Sequence, residues 1–167
     1  MIAVELVPHM DAGNRELWPS DQDLRPLSEL GRRQAEALAR ALSSTRIGAL
    51  CASPALRARQ TLEPLAEALG LAVVTLPALA EKQPGEDRAA MVDRAHAAML
   101  ELAAKHPQGR AVAASHGDLI PALAAHLAAV HRFPPLPPLE HRGQWYTIHL
   151  EGDTVRMERH EVPSFPL

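Results

Sequence analysis

The chain of 167 residues carries 17 Lys and Arg against 20 Asp and Glu, a formal net charge of −3, with a single cysteine. So slight an acidic balance, with no basic stripe at helical spacing, speaks against a nucleic-acid partner, and one cysteine excludes an internal disulfide framework and fits a reducing cytoplasm. No apolar run is long enough for a membrane helix or a secretory signal, and the length suits a single domain, residues 1–167, around one core.

Residues 2–7 (IAVELV) read as a buried strand that ends at Pro8, with His9 where the chain turns out of the sheet. Residues 10–27 hold Gly13, Pro19 and Pro26 and predict a long loop, a length usually reserved for function or disorder. Ser28 is placed to N-cap a helix through ELGRRQAEALARAL, with Leu30, Ala37, Leu38 and Leu42 inward and Arg32, Arg33, Glu36 and Arg40 outward. IGALCA (47–52) is a second strand, in which Cys51 reads as a small buried hydrophobe. It leads into SPALRARQTLEPLAEALG. There Ser53 as N-cap, Pro54 at the first helical position and Gly70 past the end mark a helix, kinked or restarted at Pro64.

LAVVTLP is a short strand, 79–87 a loop and 88–105 a helix, followed by RAVAAS (110–115) as another buried strand. HGDLIPALAAHLAAV follows as a helix whose entry carries His116 and Gly117. FPPLPPL (133–139) is a rigid connection, and QWYTIHL and TVRMERH, joined by EGD, form a terminal hairpin. Apolar strands alternating with amphipathic helices predict an α/β fold.

Three strands end in polar residues: the first leads to His9, the second to Ser53 and Arg57, and the one at 110–115 to His116. If these strands are parallel neighbours, the three side chains converge in the crevice at the carboxyl ends. Two imidazoles and a guanidinium suit phosphoryl transfer, one imidazole attacking phosphorus while the other groups hold the equatorial oxygens. The helix N-termini after Ser53 and His116 would add backbone N–H donors. Singly, each residue has a plainer reading: a structural histidine at a strand end, Arg57 as a solvated surface charge, Ser53 as a cap. His126 and His131, five apart, do not share a helix face, and there is no HExxH and no cysteine pair. No metal or other cofactor is expected.

The stretches LVPHMDAG, DLRPLSELGRRQAEALARAL, ASPALRARQTLEPLAEALGL, PALAEK and ASHGDLIPALAAHL resemble, in this order, the histidine phosphatase superfamily, with its phosphoglycerate-mutase-like fold. The short, SixA-like bacterial members are the nearest. SPxxRxxQT followed by SHG is the specific part of a resemblance that runs from residue 4 to about 127. It implies a three-layer α/β/α sandwich with a mostly parallel central sheet, and a phosphohydrolase that works through a phosphohistidine on His9. It also implies that Arg57 and His116 grip the phosphoryl oxygens and that Glu81 stands where many members carry the general acid. Arg25 matches an arginine of the SixA-like group and either rims the pocket or pairs with a nearby acid. Ser53 and Gly117 would border the substrate. The substrate implied is a phosphorylated small molecule, as a phosphomonoester, or a phosphohistidine protein.

One motif departs from the family pattern. Where the family reads Arg-His-Gly or Arg-His-Ala, this chain reads Pro8-His9-Met10. Losing one transition-state donor costs about 10²–10³ in rate, and proline has no N–H to substitute through its main chain. Met10 either folds into the core or crowds the phosphate, and Arg15 and Arg25 are the cations nearest in sequence to fill the gap. Two outcomes stay open: a slowed phosphohydrolase, or a relative that binds a phosphorylated ligand or protein without turnover. Since the segment between Glu81 and His116 holds one helix and little else, the pocket is expected to be open and shallow. That suits a phosphorylated protein side chain or an extended phosphoester better than an enclosed sugar.

Overall fold

The computed structural model describes residues 1–161. In chain order the elements are β1 (Ile2–Pro8), α1 (Glu29–Leu42), β2 (Ala49–Ala52), α2 (Leu56–Leu69), β3 (Val73–Thr75), α3 (Arg88–Lys105), β4 (Gly109–Ser115), α4 (Leu119–His131), β5 (Gln144–Glu151) and β6 (Thr154–Glu161). They build one sheet in the order β3-β2-β4-β1-β5-β6. β1 to β4 run parallel, β5 runs antiparallel to β1, and β6 antiparallel to β5.

Successive residues of a strand face opposite sides of the sheet, and here both sides are covered. Val7, Leu50, Ala52, Val112 and Ala114 pack with Leu38 of α1 and Leu62 and Leu65 of α2. Ile2, Val4, Leu6, Cys51, Ala111 and Ala113 pack with Met91 and Met99 of α3 and Leu119 and Leu123 of α4. This is the three-layer sandwich with a mostly parallel sheet that the sequence implies. Burial pushes the Cys51 thiol up to about 12, as befits a core residue. Among the described residues, no helix is long and apolar enough to cross a membrane.

Most boundaries follow the local signals. Ser28 Oγ accepts the Gly31 N–H at 3.0 Å as the cap of α1, and Gly70 closes α2 at φ +66°. Gly152 turns the terminal hairpin at φ +58°. Leu136 and Leu139 of the proline-rich connection pack on the α3/α4 core, and Tyr146 Oη donates to the Pro137 carbonyl at 2.8 Å.

Three expectations need correcting. α2 begins at Leu56 with Ala55 at the cap position, so neither Ser53 nor Pro54 starts it. The Ser53 hydroxyl has another partner, described below. α2 also runs unbroken through Pro64, because buried Leu62 and Leu65 hold the helix across the one missing N–H. And α4 starts only at Leu119, with the Asp118 carboxylate taking the Leu119 N–H at 2.7 Å, which leaves His116 and Gly117 in the turn ahead of it.

Pro8 sits in a central strand without breaking the ladder. His9 N–H donates to the Ser115 carbonyl of β4 at 2.9 Å, so the missing N–H of the preceding residue would face the β5 side. Pairing with β5 already stops at Leu6. Beyond that point β1 and β5 part company, and the space between them opens at the carboxyl end of the sheet.

Candidate functional site

The sheet order puts β2, β4 and β1 side by side, so their carboxyl ends do form one crevice. Backbone bonds lock the three ends together: His9 N–H to the Ser115 carbonyl at 2.9 Å and Ser53 N–H to the Ala114 carbonyl at 3.0 Å. A cavity of about 310 Å³ opens above them, and His9, Arg57, His116, Glu81, Arg15, Arg25 and Gly117 all line it.

His9 is 8% exposed. Its Nδ1 lies 2.7 Å from the Met10 carbonyl, and since a carbonyl only accepts, Nδ1 carries the proton. Nε2 is then a bare lone pair, which receives Arg57 Nε at 3.3 Å. Burial first, then the nearby Arg142 charge, lowers its pKa to about 3 against the raising effect of the Met10 carbonyl, with His116 and Arg57 lowering it further. At neutral pH the ring is uncharged and its Nε2 is nucleophilic.

Met10 has folded into the core, 1% exposed, beside Val7 and Leu27. Its N–H donates to Thr61 Oγ1 at 2.9 Å, and that hydroxyl donates to the Arg57 carbonyl at 2.8 Å. The methionine therefore anchors the turn that carries His9 and does not line the cavity.

Arg57, on the first turn of α2, is 1% exposed, the reverse of a solvated surface charge. Its Nη1 donates to the Gln22 carbonyl at 2.7 Å, and its Nη2 reaches His116 Nδ1 and Glu81 Oε2, each at 3.4 Å. His116 Nε2 lies 2.8 Å from Ser53 Oγ, which also accepts the Ala55 N–H at 3.2 Å. Burial, then Arg57, lowers the His116 pKa to about 4, while Glu81 and Asp118 oppose the shift. The two imidazole rings meet edge to face with centroids 5.4 Å apart.

Glu81 stands at the mouth. Its Oε1 takes Arg15 Nη2 at 2.8 Å, and its Oε2 lies 4.0 Å from His116 Nδ1. Arg25 lines the cavity, but its guanidinium is committed to the loop: Nη1 to the Ala12 carbonyl at 2.8 Å and Nε to Gln22 Oε1 at 3.1 Å. Of the two sequence alternatives for Arg25, pairing with an acid does not occur among the described residues. Arg15, more than half exposed, is tied to Glu81. Asp118, beyond capping α4, accepts the Lys82 N–H at 2.9 Å and so fixes the Glu81 loop against the His116 turn.

Sequence reading missed Asp11, Gln22, Thr61, Asp118 and above all Arg142. Arg142 lines the cavity from the turn before β5. The signal for it was topological: β5 runs antiparallel to β1 with Tyr146 opposite Leu6, so the residues entering β5 arrive beside His9. As built, the site is a neutral nucleophilic imidazole facing a hollow ringed by four guanidiniums, Arg15, Arg25, Arg57 and Arg142. Such a ring suits a phosphoryl group, whose oxygens accept from guanidinium forks.

Several solved structures share this fold. The mycobacterial glucosyl-3-phosphoglycerate phosphatase in complex with VO3 aligns with a TM-score of 0.75 at 22% identity, covering 94% of this chain and 96% of the other. The protein histidine phosphatase SixA with tungstate aligns at 0.70 and 22%, covering 95% and 96%, and Bacillus stearothermophilus YhfR at 0.77 and 20%, covering 93% and 95%. Among curated proteins, the 8-oxo-(d)GTP phosphatase of Mycolicibacterium smegmatis is 36% identical over 120 residues, 72% of this chain but 35% of the relative. The chain thus spans about a third of that relative's length. A family model described as the histidine phosphatase superfamily (branch 1) matches residues 12–85 and 80–163. With the parallel sheet and the strand-end crevice already in place, this chain belongs to the histidine phosphatase superfamily.

Proposed function

We propose that residues 1–167 act as one histidine-phosphatase domain that hydrolyses phosphomonoesters or protein phosphohistidine through a phosphohistidine on His9. One observation carries this reading: the Met10 carbonyl holds the Nδ1 proton, so the Nε2 lone pair of a neutral, buried imidazole faces the guanidinium-ringed hollow.

In the first step Nε2 of His9 forms a bond to phosphorus as the bond from phosphorus to the leaving oxygen breaks. Arg57 and His116 hold the equatorial oxygens. Glu81, in its protonated form, gives its proton to the leaving oxygen. The phosphorylated ring is cationic, and its Nδ1–H goes on donating to the Met10 carbonyl. In the second step water attacks phosphorus, the Glu81 carboxylate takes its proton, and the N–P bond breaks to release inorganic phosphate and neutral His9. Ser53 and Gly117 border the site, Ser53 by holding His116. Arg15 and Arg25 form its rim, through Glu81 and through the loop at Ala12.

Only α3 and β4 lie between Glu81 and His116, and none of the residues 82–115 lines the cavity. This supports an accessible substrate, a phosphorylated side chain or an extended phosphoester. The names of the relatives span nucleotide, sugar-phosphate and protein-phosphohistidine substrates, so they support a phosphatase without favouring one of the three.

The test is a rapid acid-free quench during turnover of p-nitrophenyl phosphate, followed by mass analysis of the peptide carrying His9. A phosphoryl group on that peptide, absent in His9→Ala along with the hydrolysis, is the expected result. If no phosphoryl group is trapped and His9→Ala hydrolyses as fast as the unaltered protein, the protein is a binder of phosphorylated ligands instead.

A further inference from the structure

The geometry points to Arg142 as the cation that replaces the arginine missing from position 8, entering the phosphoryl site from the turn before β5. The inference rests on the phosphatase reading above and names one further residue of that site.

The topology delivers it. β5 is antiparallel to β1, with Tyr146 opposite Leu6, and the ladder stops there, so the chain entering β5 passes beside the end of β1. Gly143, at φ +112°, makes the turn, and His141 Nδ1 donates to the Arg142 carbonyl at 2.9 Å. Gln144 Oε1 accepts the Glu140 N–H at 2.7 Å. The turn is therefore held by its own backbone and by its neighbours, with no help from the Arg142 side chain.

The position is also the right one. Arg142 lines the cavity that holds His9, Arg57 and His116. It also lines an adjoining hollow of about 440 Å³, whose wall includes Pro8. The cation and the position that lacks one thus face the same space. An arginine at position 8 and the arginine at 142 would approach the phosphoryl group from the same side.

Third, the other arginines of the cavity are engaged: Arg57 with the Gln22 carbonyl, Arg25 with the Ala12 carbonyl and Arg15 with Glu81. Arg142 is half-buried, yet its guanidinium makes no hydrogen bond or ion pair with any described residue. The carboxylate it feels, Asp11, already accepts from Ser28 Oγ and from the Gly13 N–H. Burial disfavours the charge of Arg142, and Arg57 adds to that. A half-buried guanidinium without a partner is costly until an anion arrives. Of the charges around His9, that of Arg142 acts on it most strongly. A phosphoryl oxygen on Nε2 would find an unoccupied fork within the same cavity, able to donate two bonds at once.

The experiment is calorimetric titration with orthovanadate, alongside p-nitrophenyl phosphate turnover and the His9 trapping assay. Arg142→Met keeps the aliphatic stem and removes the fork. It is expected to bind vanadate at least about tenfold more weakly and to lose about 10²–10³ in kcat/KM. Arg142→Lys, with the charge but not the fork, should fall between. Adding Pro8→Arg to Arg142→Met should recover most of the loss, which a merely structural role for Arg142 would not allow.

Vanadate affinity within threefold of the unaltered protein in a folded Arg142→Met, or no recovery on adding Pro8→Arg, overturns the inference. Should the methionine variant not fold, wild-type vanadate affinity in Arg142→Lys overturns it equally, and a threefold or greater loss supports it. If His9 is phosphorylated while vanadate binding ignores Arg142, this inference fails and the phosphatase reading stands. If vanadate binding depends on Arg142 but no phosphohistidine forms, the reverse holds.

Discussion

His116 can grip a phosphoryl oxygen only if its ring is fixed and protonated on the correct side. Arg57 can only donate, so its approach to Nδ1 at 3.4 Å makes Nδ1 the acceptor in the empty site, and Nε2 carries its proton toward Ser53 Oγ at 2.8 Å. An incoming phosphate dianion reverses this balance. On the phosphatase reading its oxygens would displace Arg57 from Nδ1 and favour a second proton on the ring, against the burial that holds the free pKa near 4. Ser53 keeps the ring in place while that happens, a role its position as a supposed helix cap concealed. Replacing Ser53 with Ala leaves Nε2 buried without its partner, which costs about 1–3 kcal/mol of stability. The ring is then free to turn, so kcat/KM should also fall about tenfold, equivalent to ~1.4 kcal/mol in the transition state. Urea denaturation and steady-state kinetics on the one variant read both. A variant with unchanged kcat/KM would show that His116 needs no such anchor.

At the scale of elements, the turn after β1 is held by the first turn of α1. The Asp11 carbonyl accepts from Ser28 N–H at 3.0 Å and from Ser28 Oγ at 3.2 Å, which draws the loop onto the helix start. The approach is so close that a Cβ at Gly31 would lie 1.9 Å from the Asp11 oxygen and 2.9 Å from its carbon. Backbone cannot yield there without moving His9, two residues upstream. Gly31→Ala should therefore destabilise the fold by about 1–3 kcal/mol and lower turnover more than tenfold. Gly48→Ala, whose nearest neighbour would be the Arg110 oxygen at 3.9 Å, is the control expected to leave turnover unchanged. Equal turnover in the two variants would disprove the coupling. The sequence announced α1 through Ser28 and its apolar face, but not the loop that crosses it, because close backbone approach leaves only a glycine as its trace. The same contrast holds across the site. Strand ends, Gly70 and the hairpin were legible because their causes are local. Convergence of His9, Arg57 and His116 needed β4 to lie between β1 and β2, and Arg142 needed β5 to pair with β1. No spacing in the chain encodes either adjacency. Met10 was undecided for a related reason: its course into the core depends on Thr61, which only the packed α2 brings within 2.9 Å of its N–H.

For the whole molecule, assembling this site means burying two imidazoles among guanidiniums, and that ties stability to pH. In the unfolded chain each histidine titrates near 6.5, while in the folded protein His9 titrates at about 3 and His116 at about 4, both lowered chiefly by burial. Between those values and 6.5 the unfolded chain binds protons that the folded one refuses, so acid favours unfolding. His96 and His149 are lowered by burial too and act in the same direction, whereas His141 is raised, chiefly by the Arg142 carbonyl, and acts against them. Stability should be full above pH 6.5 and fall steadily from there toward pH 4. His9 and His116 should each contribute a loss of roughly 2 kcal/mol between pH 7 and pH 5. Urea denaturation across that range measures the slope, and His9→Ala should flatten it by about the share of one histidine. A bound anion adds a second lever, because phosphate at a hundred times its Kd stabilises the folded state by about 2.7 kcal/mol. It also raises the folded pKa values toward 6.5, so the fall with acid should be shallower in phosphate than in a buffer without it. A slope unchanged by His9→Ala would mean that folded His9 titrates near 6.5 like the unfolded residue, so burial would not be what holds the ring neutral.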